Sequence, residues 1–129
     1  MKRYIGALLL GFLSHMAYSQ EHVATFMMTS ECVSSVEVKA SNYFPGWDLK
    51  ITLQDVAASD LHEFSSDRMG KKILLIDGNG NQVLRGGAVV REPLPSPFVI
   101  SGIQTEEEAT KARIGILSSS GPCGVGGTR

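Results

Sequence analysis

Alternation of apolar and polar positions predicts the strands of this chain. Leu49, Ile51 and Leu53 alternate with polar residues, which is the period of a strand that buries one face. Val36 and Val38 alternate with charged neighbours in the same way. Together with short apolar runs bounded by turn residues, these patterns predict strands at 26–28, 33–38, 49–53, 73–76, 82–90 and 98–101.

Two other segments space their apolar residues three and four positions apart, as one face of a helix requires. The first runs from Asp55 to a stop at Gly70. Its apolar face comprises Ala57, Leu61 and Phe64. The second opens at a capping box formed by Thr105 and Glu108. Its inward residues are predicted to be Ala109, Ala112, Ile116 and Leu117.

The order of these elements predicts an α+β fold. One helix follows the early strands and the other follows the later strands. A mostly antiparallel sheet with both helices on one face accommodates this order. The nearest named arrangement is a ferredoxin-like two-layer sandwich.

The first nineteen residues have the pattern of a secretory signal peptide. Two basic residues precede an apolar run at 4–13, and Ala17 and Ser19 supply the small residues of a cleavage site. The alternative is a membrane anchor, but a spanning helix needs about 20 apolar residues and this run breaks at Ser14. We therefore expect cleavage after Ser19 and a periplasmic or secreted product.

Composition narrows the class of protein. The chain has 129 residues, of which 43% are apolar and 19% charged, as in one ordinary globular domain. Lys and Arg total 12 and Asp and Glu total 13, so the formal net charge is -1. A chain with this charge balance lacks the excess of basic residues that is typical of nucleic-acid-binding proteins. We expect neither a disordered chain nor a nucleic-acid-binding protein.

Two cysteines, Cys32 and Cys123, are expected to pair. Export places them in an oxidising compartment, where two thiols usually form a disulfide. The Gly- and Ser-rich segment 118–129 is then a tail tethered to the domain at 20–117 through this bond. The alternative is a reactive or metal-bound thiol, but metal sites need three or four close ligands. Only His22 and His62 remain as histidine ligands after cleavage.

The acidic segment that begins at Asp77 opens like a calcium loop. Asn79 and Asn81 follow at the right spacing, but the sixth and twelfth positions are Gln82 and Ala88. Calcium loops require Gly and a bidentate Glu at those positions. We therefore predict a tight turn and no metal site.

Catalytic residues are not evident. His62, Ser66 and Asp67 contain the side chains of a hydrolase triad, but nothing resembles the strained turn that exposes a nucleophile. The acidic run 106–108 lies in the first turn of a helix, where negative charge is favoured by the helix dipole. We expect no catalytic residue and no cofactor.

Two surfaces are candidates for partner contact. Tyr43, Phe44 and Trp47 place three aromatic residues in one loop, either as a cap on the core or as an exposed contact. Arg91 and the prolines after it, at 93, 95 and 97, form the second candidate. Proline segments are pre-ordered and lose little entropy on binding.

A series of short motifs follows in order between positions 49 and 117. These are Leu53-Gln54-Asp55 at a strand end, Leu61, Phe64 and Ser65 in a helix that leaves through Gly70-Lys71, the apolar strand 73–78 ending in Asp-Gly, Val90-Arg91-Glu92-Pro93, Ile100-Ser101-Gly102, and the helix start at 105–109. In this combination and order, the segment resembles the head subdomain of the large periplasmic domain of SecD, from the SecDF export family.

The resemblance implies a SecD-head-like fold and, more loosely, contact with polypeptide outside the inner membrane. Family members also carry transmembrane helices and a base subdomain. We find no counterpart of either here, so proton-driven pulling is not carried over. We expect a non-catalytic binding protein for a polypeptide or partner protein. The alternative is a secreted inhibitor or regulator of an enzyme that uses the proline segment 93–97.

Overall fold

The computed structural model describes residues 23–42 and 45–125. Within them lie two helices and seven strands, in chain order β1 Ala24–Met28, β2 Val33–Ala40, β3 Trp47–Leu53, α1 Asp55–Ser66, β4 Lys72–Asp77, β5 Ala88–Val89, β6 Phe98–Ile103, α2 Glu106–Ser118 and β7 Gly124–Val125. The predicted strand 82–90 is reduced to β5 and an isolated bridge between Gln82 and Ile76. The predicted signal peptide at 1–19 lies outside the described residues.

The strands form two sheets. One is antiparallel, with the order β2-β3-β6, and the other has the order β5-β4-β1-β7 with β1 and β4 parallel. The predicted α+β class is confirmed, but the strands do not share one sheet. A tight turn after β1, in which the Cys32 N–H donates to the Thr29 carbonyl (2.9 Å), redirects the chain so that β2 starts the second sheet.

The three-stranded sheet has one apolar face and one charged face. The apolar face comprises Val36, Val38, Leu49, Ile51, Phe98 and Ile100. Helix α2 contacts this sheet and buries Ala109 and Ile116. On the other face, the register places Glu37 opposite Lys50, a cross-strand pair of opposite charge. Leu117 was predicted to face inward but is 37% exposed, because it lies about 100° around the helix from Ile116.

The core is continuous between the two sheets. Helix α1 contacts both β3 and β7, and its predicted apolar residues are all buried. The ring of Phe64 on α1 lies 5.4 Å from that of Phe26 on β1, measured between centroids. The helix begins at Asp55, and the preceding Gln54 makes no side-chain cap. Tertiary packing of one face therefore holds α1 in place.

The segment after α2 is part of the fold. The Ser119 carbonyl accepts from the Ser30 N–H (3.0 Å), and the Gly121 carbonyl accepts from the Thr29 hydroxyl (2.9 Å). Strand β7 then pairs antiparallel with β1. The sequence predicted a tail held at Cys123, whereas backbone bonds hold this segment at several further points. Glycine and serine lack the apolar side chains whose alternation predicts a strand, so the sequence pattern does not indicate this pairing.

Candidate functional site

An open groove of about 590 Å³ lies where three segments meet: the end of β6, the first turns of α2 and the loop between β4 and β5. Its apolar lining consists of the buried or half-buried side chains Val83, Leu84, Ile103 and Ala112. Its charged lining consists of Arg85, Glu107, Glu108 and Lys111. A groove of this composition accommodates an apolar side chain while its charged groups stay in water.

The loop between β4 and β5 begins with a turn built on Asp77. The buried Asp77 carboxylate accepts from the backbone N–H groups of Asn79 (2.8 Å) and Asn81 (3.1 Å). Aspartate commonly stabilises turns through such bonds to its own backbone. The predicted tight turn is confirmed.

The rest of this loop forms one wall of the groove. Pairing with β4 resumes where the Val83 N–H donates to a β4 carbonyl (2.8 Å). It breaks again at Gly86 and Gly87, whose φ angles of 81° and 77° favour glycine. Leu84 and Arg85 therefore fall outside the β4 ladder and line the groove.

The opposite wall is the start of α2. The Thr105 hydroxyl accepts from the Glu108 N–H (3.1 Å), which confirms the Thr105 half of the predicted capping box. The Glu108 carboxylate also lies 3.3 Å from the Arg85 guanidinium, so an ion pair links the two walls. The side chains of Arg85 and Glu108 are 89% and 41% exposed, and such pairs contribute about 0–1 kcal/mol. A ligand can therefore replace this pair at little cost.

Of the three predicted aromatic contacts, Trp47 is described by the structure, and it adjoins the groove. Trp47 pairs across the sheet with Ile103, which lines the groove. Gly46, beside it, packs so tightly that a Cβ there would lie 2.6 Å from the Ile103 carbonyl oxygen. Trp47 is half-buried and is the first residue of β3, whereas the sequence placed it in a loop. Tyr43 and Phe44 lie outside the described residues.

The second predicted surface is separate from the groove. Arg91 is exposed and is not among the lining residues. The proline-rich segment after it is fixed at two points. The Leu94 N–H donates to the Ser65 hydroxyl (2.8 Å), and the Leu53 N–H donates to the Ser96 hydroxyl (2.9 Å). The structure therefore does not bring the two predicted surfaces together.

The remaining candidates take ordinary structural roles. His62 is exposed, and the Ser66 hydroxyl donates to its backbone carbonyl (2.7 Å), not to its ring. Cys32 and Cys123 lie at disulfide distance, with Cα atoms 5.6 Å apart. In the described part of the chain, no group of three or more His, Cys, Asp or Glu residues is placed to hold a metal ion. Among residues 23–42 and 45–125, no helix has the length and hydropathy to cross a membrane.

The groove itself was missed from the sequence. Its lining residues come from segments that are far apart in the chain. Thr105 and Glu108 were recognised as a capping box and Ser101-Gly102 as part of a short motif, but neither signal indicates a groove. The local signals were glycines: Gly86 and Gly87 in one wall and Gly102, with a φ of 81°, in the β6 bulge. Glycines at irregular strand positions mark bulges and close approaches but do not say what they surround.

Two solved structures are similar to this fold. The first is described as "Structure and function of a membrane component SecDF that enhances protein export", with a TM-score of 0.54 and 19% identity over 74% of this chain. The second is "Crystal structure of SecDF in Super-membrane-facing form", with a TM-score of 0.55 and 19% identity over 73% of this chain. This chain spans 43% and 12% of the respective chains. No family model matches it, and no curated protein matches it either. The chain therefore has a SecD-like fold.

Proposed function

We propose that this protein is a non-catalytic binding protein of the periplasm or the secreted fraction, and that its groove binds polypeptide. The observation that carries the proposal is the groove itself, set in a SecD-like fold and open to solvent. The compared SecDF is described as a membrane component that enhances protein export. Protein export acts on polypeptide, so contact with polypeptide is the role that we carry over from this description to the proposal.

The chemistry of the groove favours a polypeptide over other ligand classes. Leu84 and Ile103 offer apolar contact, while Arg85 and Lys111 stand beside Glu107 and Glu108. Nucleic acid requires a surface dominated by positive charge. A polypeptide presents apolar and charged groups of both signs within a few residues.

Trp47 is the proposed aromatic anchor at the edge of the groove. Tyr43 and Phe44, which lie outside the described residues, are proposed as contacts from the sequence alone. Aromatic residues at interfaces often contribute a large share of the binding free energy. Arg91 is a second, separate proposed contact. The alternative role, inhibition or regulation of an enzyme through 93–97, stays a prediction.

Binding is tested with a labelled polypeptide that is reduced and carboxymethylated and so remains unfolded. Fluorescence anisotropy should show saturable binding of this polypeptide and none of its native form. Trp47→Ala and Leu84→Ser should each raise the Kd roughly tenfold, because each removes apolar contact at the groove. The matched control is Val56→Ala, since Val56 is 76% exposed on α1 and lies outside the groove.

The proposal fails if the unfolded polypeptide does not bind, or if native and unfolded forms bind equally. Trp47 is the sole tryptophan of the chain, so its emission gives an independent readout. Saturable binding that leaves this emission unchanged would remove the aromatic loop from the site.

A further inference from the structure

Strand β6 is an edge strand of the three-stranded sheet, and along part of its length its outward main-chain groups are not hydrogen-bonded to another strand. The order β2-β3-β6 places β6 at one edge. The directions of its main-chain groups follow from its neighbour β3. The Leu53 N–H donates to Ser96, on the β6 side, whereas the Gln54 N–H donates to the Cys32 carbonyl, on the β2 side. Odd-numbered residues of β3 therefore direct their main-chain groups towards β6.

This alternation identifies the free groups of β6. Ile51 lies opposite Phe98 in the register, so Phe98 bonds to β3. The next residue, Val99, then points its N–H and C=O away from the sheet, and so does Ser101. Both residues are exposed, and no hydrogen bond among the described residues occupies these outward groups.

The opposite edge of this sheet, strand β2, is partly covered by a side chain. The Val36 carbonyl on β2 accepts from Arg113 Nε of α2 (2.8 Å), so a side chain occupies one outward group of that edge. In the four-stranded sheet, the edge strands β5 and β7 have two residues each. Short or covered edges are the usual protection against unwanted pairing. Strand β6, with six residues, is longer than β5 and β7, and among the described residues no side chain bonds to its outward main-chain groups.

We propose that an extended polypeptide segment binds by adding a strand to the outer edge of β6, with one of its side chains in the adjoining groove. This inference rests on the proposed function and specifies how the polypeptide is held. Outward N–H and C=O groups at strand spacing are complementary to the main chain of an extended segment. Ser101 belongs both to this edge and to the groove lining, so one segment reaches both.

The open edge is short. Pro97 precedes β6, and a bulge at Gly102 ends its regular pairing. Strand addition is thereby limited to the stretch from Val99 to Ser101, a site for about four residues of a bound segment. Main-chain recognition of this kind is tolerant of sequence, as a binder of varied polypeptides requires.

The first test changes the ligand. Short synthetic peptides that tile the unfolded polypeptide used above identify the best-binding segment, which is then N-methylated at one position at a time. N-methylation removes a main-chain donor and keeps the side chain. Strand addition predicts that alternate positions lose about tenfold in affinity while the positions between them lose little. Equal effects at all positions, or none, would overturn the proposal.

The second test changes the protein. Val99→Pro removes the outward N–H at a position where an edge strand tolerates proline, because this group makes no bond within the sheet. Binding of the unfolded polypeptide should weaken about tenfold, whereas Val99→Ala, which keeps the N–H, should bind like the wild type. Circular dichroism checks the fold, and if Val99→Pro is unfolded, the methylation series decides. Tight binding by folded Val99→Pro would exclude strand addition and leave the proposed function standing, whereas failure of the wild type to bind would remove both.

Discussion

At the residue scale, one buried hydroxyl joins two distant parts of the chain. Ser65 is fully buried on α1, donates to the Leu61 carbonyl (2.8 Å) and accepts from the Leu94 N–H (2.8 Å). The proline-rich segment is thus attached to the helix through a single side chain. The helical periodicity of the sequence does not indicate that this serine bonds to a residue 29 positions away.

Ser65→Ala should lower the free energy of unfolding by about 1–3 kcal/mol, because it leaves the Leu94 N–H without its acceptor. Ser66→Ala is the matched control, since the Ser66 hydroxyl bonds to the His62 carbonyl of its own helix at an exposed position. Its effect should stay within about 0.5 kcal/mol. Urea denaturation followed by circular dichroism measures both variants, and equal destabilisation would contradict this assignment.

At the element scale, the short strand β7 depends on bonds made by neighbouring residues. Strand β7 has two residues and pairs with two residues of β1. Isolated pairing of that length is not stable. The neighbouring Cys123, opposite Cys32, and the backbone bonds of Ser119 and Gly121 keep the segment in place.

The Cys32–Cys123 pair closes a separation of 91 residues. We expect replacement of both cysteines by serine to lower the free energy of unfolding by about 2–5 kcal/mol. Reductant should destabilise the wild type by a similar amount and leave the double variant unchanged. A wild type with the same urea midpoint in the presence and absence of reductant would contradict the predicted disulfide.

At the scale of the whole molecule, this chain corresponds to part of the SecDF chains that it resembles in fold. It spans 43% and 12% of the two compared SecDF chains. The domain has its own continuous core, which both sheets and both helices share. A shared fold does not by itself assign a function, so the proposed binding rests on the groove and on the edge of β6.

The predicted export is tested on the whole chain. Cell fractionation should recover the protein in the periplasm or the medium, with a mass that corresponds to a chain beginning at Gln20. Replacing Ser19 by a bulky charged residue should block cleavage and leave the precursor with the membrane. An uncleaved wild-type chain in the membrane fraction would instead favour the anchor interpretation of 4–13.

Much of the secondary structure was predictable because it depends on local periodicity. The alternation in 49–53 predicted β3, and the spacing of Ala57, Leu61 and Phe64 predicted the buried face of α1. The turn at Asp77 followed from the hydrogen bonds that an aspartate makes to its own neighbours. In each case the residues whose pattern gives the prediction are the same residues that form the element or the turn.

The candidate site was predicted only in part. The sequence identified Trp47 because aromatic residues are conspicuous, and the structure places it beside Ile103 of the groove. Leu84 and Arg85 gave no such signal, since an ordinary leucine and arginine in a glycine-rich stretch have many uses. They line the groove because the start of α2 lies opposite them, where Glu108 pairs with Arg85.

Taken by itself, the sequence determined the buried faces of α1 and β3, where the helices and most strands lie, and that the fold class is α+β, since all of these follow from local periodicity. The division into two sheets, the inclusion of β7 and the open edge of β6 were decided by the tertiary structure. Strand pairing joins residues far apart in the chain, and its register depends on every element that packs against it. Alternation marks a strand's two faces but leaves its neighbours, and therefore its free edges, unspecified.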